Sequence, residues 1–180
     1  MSFNTLGCRG YSLYQLMVSL AIIAFGMGVA VPGLSELIQD SRRTRQVNLF
    51  VHSVHLAKSE AHKRAQFVSL CKSPDGEQCT GAGPWSDGWI VFVNRDKDDP
   101  ARVDRGEEIL YTHRKWENGL ITGNRQTFSF RPFRKRSTNG TFIFCDRRGS
   151  RAARAVIVSY TGRPRASDRA PNGSALVCPD

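Results

Sequence analysis

Between Arg9 and Glu36 the chain carries no charged side chain, and Leu13 to Leu34 is mostly Leu, Ile, Val, Ala, Met and Gly. About 22 such residues, at roughly 1.5 Å each, are enough to cross a bilayer as a helix. A secretory signal would have a shorter apolar run with its cleavage site behind it, whereas here Arg9-Gly10 stands in front. From Leu34 to Ala65 the apolar positions Leu34, Leu37, Ile38, Val47, Val51, Val54, Ala61 and Ala65 recur at three- and four-residue steps. That period marks one helix face, so the span is predicted to continue as an amphipathic helix. Its other face carries Arg42, Arg43, Arg45, Lys58, Glu60, Lys63 and Arg64. Short β-type runs follow at Phe67 to Cys71, Gly88 to Asn94, Glu108 to Thr112, Gln126 to Phe130, Gly140 to Cys145, Arg154 to Tyr160 and Ala175 to Cys178. Gly-, Pro-, Asp- and Asn-rich turns such as Ser73-Pro74-Asp75-Gly76 and Asn172-Gly173-Ser174 separate them. A long helix followed by antiparallel strands predicts an α+β fold with the helix packed on sheet.

At 180 residues the chain has room for one domain and a short appendage, which argues against a multi-domain enzyme. Its charge is unevenly placed. Residues 1–124 carry 14 basic and 13 acidic side chains, whereas residues 125–169 carry 12 basic and 2 acidic ones. The whole net charge of +10 thus sits in one segment. Solubility alone would be served by charge spread over the surface, so this concentration points to a polyanion: nucleic acid, anionic lipid or acidic polysaccharide.

Cys8-Arg9-Gly10 followed by Tyr11-Ser12-Leu13-Tyr14-Gln15-Leu16 and the apolar run resembles the leader of type IV prepilins and pseudopilins. The resemblance implies a leader over residues 1–10, a membrane-spanning first half of the helix over 11–32, and a periplasmic or extracellular head over 33–180. It also implies that a prepilin peptidase cuts between Gly10 and Tyr11 and methylates the new Tyr11 amine, and that Pro32 bends the first helix. The family usually has Glu at the fifth residue after the cut, where this chain has Gln15. Gln15 keeps an acceptor but loses the charge. It is either a tolerated isostere or a sign of weaker docking, restricted to a filament end. Arg42, Arg43 and Arg45 follow the span and only Arg9 precedes it, a count that by itself would keep the C-terminal part in the cytoplasm. The resemblance and the cysteines point outward instead.

With Cys8 in the leader, Cys71, Cys79, Cys145 and Cys178 remain. An even number in a small exported domain suggests two disulfides, for which three pairings are open. Cys71 with Cys79 and Cys145 with Cys178 is the favoured one. A zinc site is the competing reading, but the sequence has no C-x2-C pair.

Within the pilin superfamily the head resembles the FimT and GspH group of minor pilins and pseudopilins. The matching stretches are Leu56-Ala57-Lys58-Ser59-Glu60-Ala61, Gly88-Trp89-Ile90-Val91-Phe92-Val93 and Ile109-Leu110, with Gly162-Arg163-Pro164-Arg165 near the C-terminus. The last is the Gly-Arg-x-Arg element typical of FimT-type proteins, so the resemblance is closest to that type. In an extended chain residues two apart share a side, so Arg163 and Arg165 can face one phosphate backbone. Pro164 biases Arg163 to extended geometry, Gly162 permits a turn, and planar guanidinium groups suit phosphate oxygens. Arg147, Arg148, Arg151, Arg154 and Arg169 are candidate support, all inside the loop that a Cys145–Cys178 bridge would close. Arg131, Arg134, Lys135 and Arg136 read as solvated loop charge at least as readily as contacts. Tyr160 and Phe133 are expected in the core or on an edge strand, with base stacking as the alternative.

Other candidates are weaker. His52 and His55 share a helix face and His62 lies beyond them, but nothing specifies a further metal ligand. Asp96, Asp98, Asp99 and Asp104 lack an EF-hand pattern and read as a solvated acidic turn. No catalytic motif appears, so no enzyme activity and no cofactor are expected. The implied function is a minor type IV pilin that binds DNA without sequence preference for uptake in natural transformation. Its partners would be DNA, other pilins, prepilin peptidase and, before assembly, the inner membrane. The alternative is a structural subunit that primes filament assembly in type IV pili or type II secretion; adhesion to acidic polysaccharide or a membrane surface is a third, weaker one.

Overall fold

The structure, a computed structural model, describes residues 12–133 and 137–179, with the side chains of 29–32 excepted. Gly10 and Tyr11, the expected cleavage site, lie outside the described residues, as do Arg134, Lys135, Arg136 and the Pro32 side chain. One helix, α1, runs Leu13–Arg64. Two compact units divide after Asp40, the second being Ser41–Asp180.

In the first unit Ser12 and Gln15 form a reciprocal cap at the start of α1. The Ser12 hydroxyl accepts from the Gln15 amide at 3.3 Å and the Gln15 side-chain oxygen accepts from the Ser12 amide at 3.0 Å. This capping box satisfies two helix-end donors that otherwise lack partners. Gln15 therefore does the local work of a Glu without its charge. The apolar side chains that follow, from Leu13 to Met27, are exposed. By length and composition this stretch can cross a membrane, which fits membrane anchoring.

The second unit has two four-stranded antiparallel sheets. Sheet A has the order β3-β2-β1-β5, with β1 Phe67–Lys72, β2 Gly88–Asn94, β3 Ile109–Arg114 and β5 Thr127–Phe130. Sheet B has the order β4-β6-β7-β8, with β4 Gly119–Gly123, β6 Gly140–Asp146, β7 Arg154–Val158 and β8 Pro164–Ser167. Val47, Phe50, Val54, Ala57 and Ala61 put one face of α1 into a core lined by both sheets. Phe50 is the hub: its ring lies 5.4 Å from Trp89 of β2 and 4.3 Å from Phe142 of β6. The Trp89 indole donates to Ser53 at 2.9 Å, so its one polar atom is satisfied inside the core.

Several sequence expectations need correcting. The buried helix row runs through Phe50 and Ala57, while Leu34, Leu37, Ile38 and Ala65 are exposed. Arg43, expected on the charged outer face, is buried, donating to the Ala152 carbonyl and lying 3.7 Å from Asp146. Strand β4 lies outside the β-type runs of the sequence, because two glycines bracket only three other residues. Gly119 is required there, since a Cβ would come within 2.5 Å of the Cys145 carbonyl oxygen. Strand β8 was hidden by Pro164, which an edge strand tolerates because nothing lies beyond it to receive an amide. Ala175 to Cys178 is not a strand: only Ala175 pairs, with Arg169. That tail is held instead by burial of Leu176, by the Cys178 amide donating to Ser150 at 2.9 Å, and by the Cys145–Cys178 disulfide. A second disulfide joins Cys71 to Cys79. Buried Lys72 donates to the carbonyls of Gly81 and Gly83, just beyond that loop.

Candidate functional site

The Gly-Arg-x-Arg element forms the end of the turn that joins β7 to β8. The Gly162 amide donates to the Ser159 carbonyl at 2.8 Å, closing a four-residue turn. Gly162 has φ of +67°, and a Cβ there would lie 2.9 Å from the Phe130 ring and 3.0 Å from the Ser137 hydroxyl. Both the backbone angle and the space demand glycine. The turn is pinned by three further bonds. Ser159 and Thr161 share a hydroxyl contact at 2.8 Å, the Ser137 amide donates to the Tyr160 carbonyl at 2.7 Å, and Lys58 of α1 donates to the Thr161 carbonyl at 2.8 Å. No local pattern could have marked Lys58, which lies 103 residues from its partner.

Arg163 follows this turn, its carbonyl accepting from the Ser159 amide and its own amide donating to the Ser159 hydroxyl. Arg165 sits on β8 opposite Ile157. Arg163 stands just before β8 and Arg165 within it, two positions apart, and both are exposed. Among the described residues no carboxylate pairs with either, nor with Arg147, Arg151, Arg154 or Arg169.

The supporting arginines divide by place. Arg154 begins β7 at the end away from the turn, with Arg147 and Arg151 in the connection before it. Arg169 follows β8 toward that same end, its side chain donating to the Gly173 carbonyl at 3.3 Å. The four steps of β7 separate the two basic groups by about 13 Å. Arg148 differs from the rest, because its guanidinium grips Asp146 at 2.6 Å and 3.1 Å. Burial alone would raise the Asp146 carboxyl, but Arg148 and Arg43 outweigh it and hold the group below the ordinary value. One of the two acidic groups in the basic segment is thereby neutralised from within.

Tyr160 and Phe133 are not core residues: both side chains stand in solvent, 64% and 77% exposed. His52, His55 and His62 are likewise exposed on α1, and His62 bonds the Lys58 carbonyl. Asp96, Asp98 and Asp104 bring carboxylate oxygens within 4.8 Å of one another. Asp98 is already engaged by the Asn94 amide group and the Arg102 backbone, which fits the acidic-turn reading.

Comparison with curated proteins returns no match. Two crystal forms of the Pseudomonas aeruginosa (strain PAO1) type IV minor pilin FimU are similar in structure. One has a TM-score of 0.52 at 16% identity, covering 79% of this chain and 96% of that one. The other has a TM-score of 0.49 at 16% identity, covering 74% and 94%. The first of these supports the type IV pilin-like fold seen in the helix and sheets. The model for the family described as type II transport protein GspH matches residues 46–162, the end of the helix and both sheets up to the Gly162 turn. On that match the chain belongs to the GspH family, with a type IV pilin-like fold.

Proposed function

We propose that this chain is a minor pilin that captures extracellular DNA by its phosphate backbone, with Arg163 and Arg165 as the main contacts, for uptake in natural transformation. The head lies outside the inner membrane and joins a pilus with other pilins after a prepilin peptidase removes the leader. The observation that carries this reading is the pair Arg163 and Arg165, exposed at the start of an edge strand with no carboxylate partner among the described residues. A pinned turn holds the pair, so little freedom is lost on binding. Arg147, Arg151, Arg154 and Arg169 lie about 13 Å along the hairpin. A strand laid along this hairpin passes from the Gly162 turn toward Arg169, while Arg154, three positions from Ile157 on β7, points to the other face of the sheet from Arg165. Arg148, held by Asp146, contributes least.

The test uses the full chain in zwitterionic nanodiscs and duplex DNA across a salt series. Arg163→Gln with Arg165→Gln is expected to weaken binding at least about tenfold, given about 1.5–3 kcal/mol per hydrogen bond to a charged group. It should also lower the slope of log affinity against log salt by about 1.8, at about 0.9 per phosphate. A folded double variant that binds like the parent overturns the assignment.

A second reading, a structural subunit that primes filament assembly, is favoured by the extent of the family match, which stops at Gly162 and leaves out both arginines. It requires that deleting the protein removes surface filaments, whereas a DNA receptor can be lost with filaments retained.

A further inference from the structure

Tyr160 presents an exposed ring from a backbone that is bonded on both sides, by Ser137 at its own carbonyl and by Lys58 at the next one. An aromatic side chain held out into solvent on a rigid turn is set up to bind at low entropic cost. Tyr160 borders a cleft of about 280 Å³ lined by Phe67, Lys97, Asp98, Asp99, Arg131 and Ser137. This is near the lower limit of small-ligand pockets, about 300 Å³. The Phe67 ring holds two cations at the cleft, the Lys97 ammonium at 5.6 Å and the Arg131 guanidinium at 5.7 Å from its centre. Those contacts fix the positive groups without neutralising them.

The walls carry both signs, since Asp98 and Asp99 stand among the cations. A bare phosphate is poorly served by such a site. A nucleobase fits better, having an apolar face for Tyr160 and an edge of donors and acceptors for Asp99 and Ser137. A duplex keeps its base faces stacked inside, so only an unpaired strand can supply one. We propose that this cleft takes one base of a single-stranded DNA, stacked on Tyr160, while Arg131 and Lys97 meet the flanking phosphates and the strand runs on to Arg163. The inference rests on the DNA-capture reading and adds the strand form that the site accepts.

The experiment compares three probes of equal length on the full chain in zwitterionic nanodiscs: oligothymidylate, an abasic phosphodiester strand, and duplex DNA. Oligothymidylate is expected to bind more tightly than the abasic strand, a comparison that needs no substitution. Tyr160→Ala should lower oligothymidylate affinity about 5- to 150-fold, the range of one base–aromatic stack, and change duplex affinity less than about twofold. Tyr160→Phe should retain binding. Equal affinity for abasic and base-bearing strands overturns the cleft, and so does a Tyr160→Ala effect that is absent or the same on duplex, with DNA capture left standing. Failure of the parent to bind any probe overturns DNA capture itself.

Discussion

Gly162 carries more constraint than any arginine near it. A methyl group there meets the Phe130 ring and the Ser137 hydroxyl, and φ of +67° costs an L-residue about 1–2 kcal/mol. Gly162→Ala is expected to lower unfolding stability by about 1–3 kcal/mol in denaturant titration, allowing for local backbone strain. DNA affinity should fall with it, although no charge changes. A variant as stable as the parent shows that the turn can open without cost. The arginine pair was legible from sequence because spacing of two in an extended segment puts side chains together whatever surrounds them. Lys58, Arg131 and Lys97 were not assignable, since each gains its role from a partner distant in sequence. Arg148 resembles its neighbours in sequence but differs from them in being held by Asp146.

Helix α1 and the hairpin of β7 and β8 carry the site, and they differ in how they were readable. The three- and four-residue period of α1 predicted the helix but placed its buried row imperfectly, because Phe50 is selected by the aromatic rings of two sheets meeting there. Strand β8 lacks an apolar alternation and contains Pro164, so only its ladder with β7 defines it. Downstream the tail has no ladder beyond one bridge and depends on the Cys145–Cys178 bond, with a sequence separation of 33. In the chain-entropy account a loop of that length is worth about 3–4 kcal/mol. Cys145→Ser with Cys178→Ser should therefore lose stability of that order. Hydrogen exchange should quicken first in residues 168–178, with the β7–β8 ladder protected longer. Uniform loss of protection across the second unit contradicts the tail's local dependence.

Charge is arranged over the head as a basic segment on an otherwise balanced scaffold, and burial decides which groups answer to pH. His113 stacks on Trp89 at 3.8 Å, and burial, helped by Arg45, lowers its pKa from 6.5 to about 4. Between those values the unfolded chain binds a proton that the folded chain refuses. Stability is therefore expected to fall as pH drops from 6.5 to about 4 and to be insensitive to this group outside that window. Burial raises Asp98, and also Asp104, which works in the opposite sense, so the parent is compared with His113→Phe. Thermal melts should show a shallower decline for the variant across that window. Parallel curves reject the role of His113.

The order of long helix then strands, the apolar span, the location of the charge and the arginine pair all follow from local pattern, because periodicity and composition need no knowledge of what lies across the fold. Which helix residues are buried and which aromatic rings remain in solvent depend on contacts between segments far apart in the chain. Tyr160 shows the difference. Its type suits a core or a binding surface equally well, and only the turn that Ser137, Lys58 and Gly162 build around it turns the ring outward.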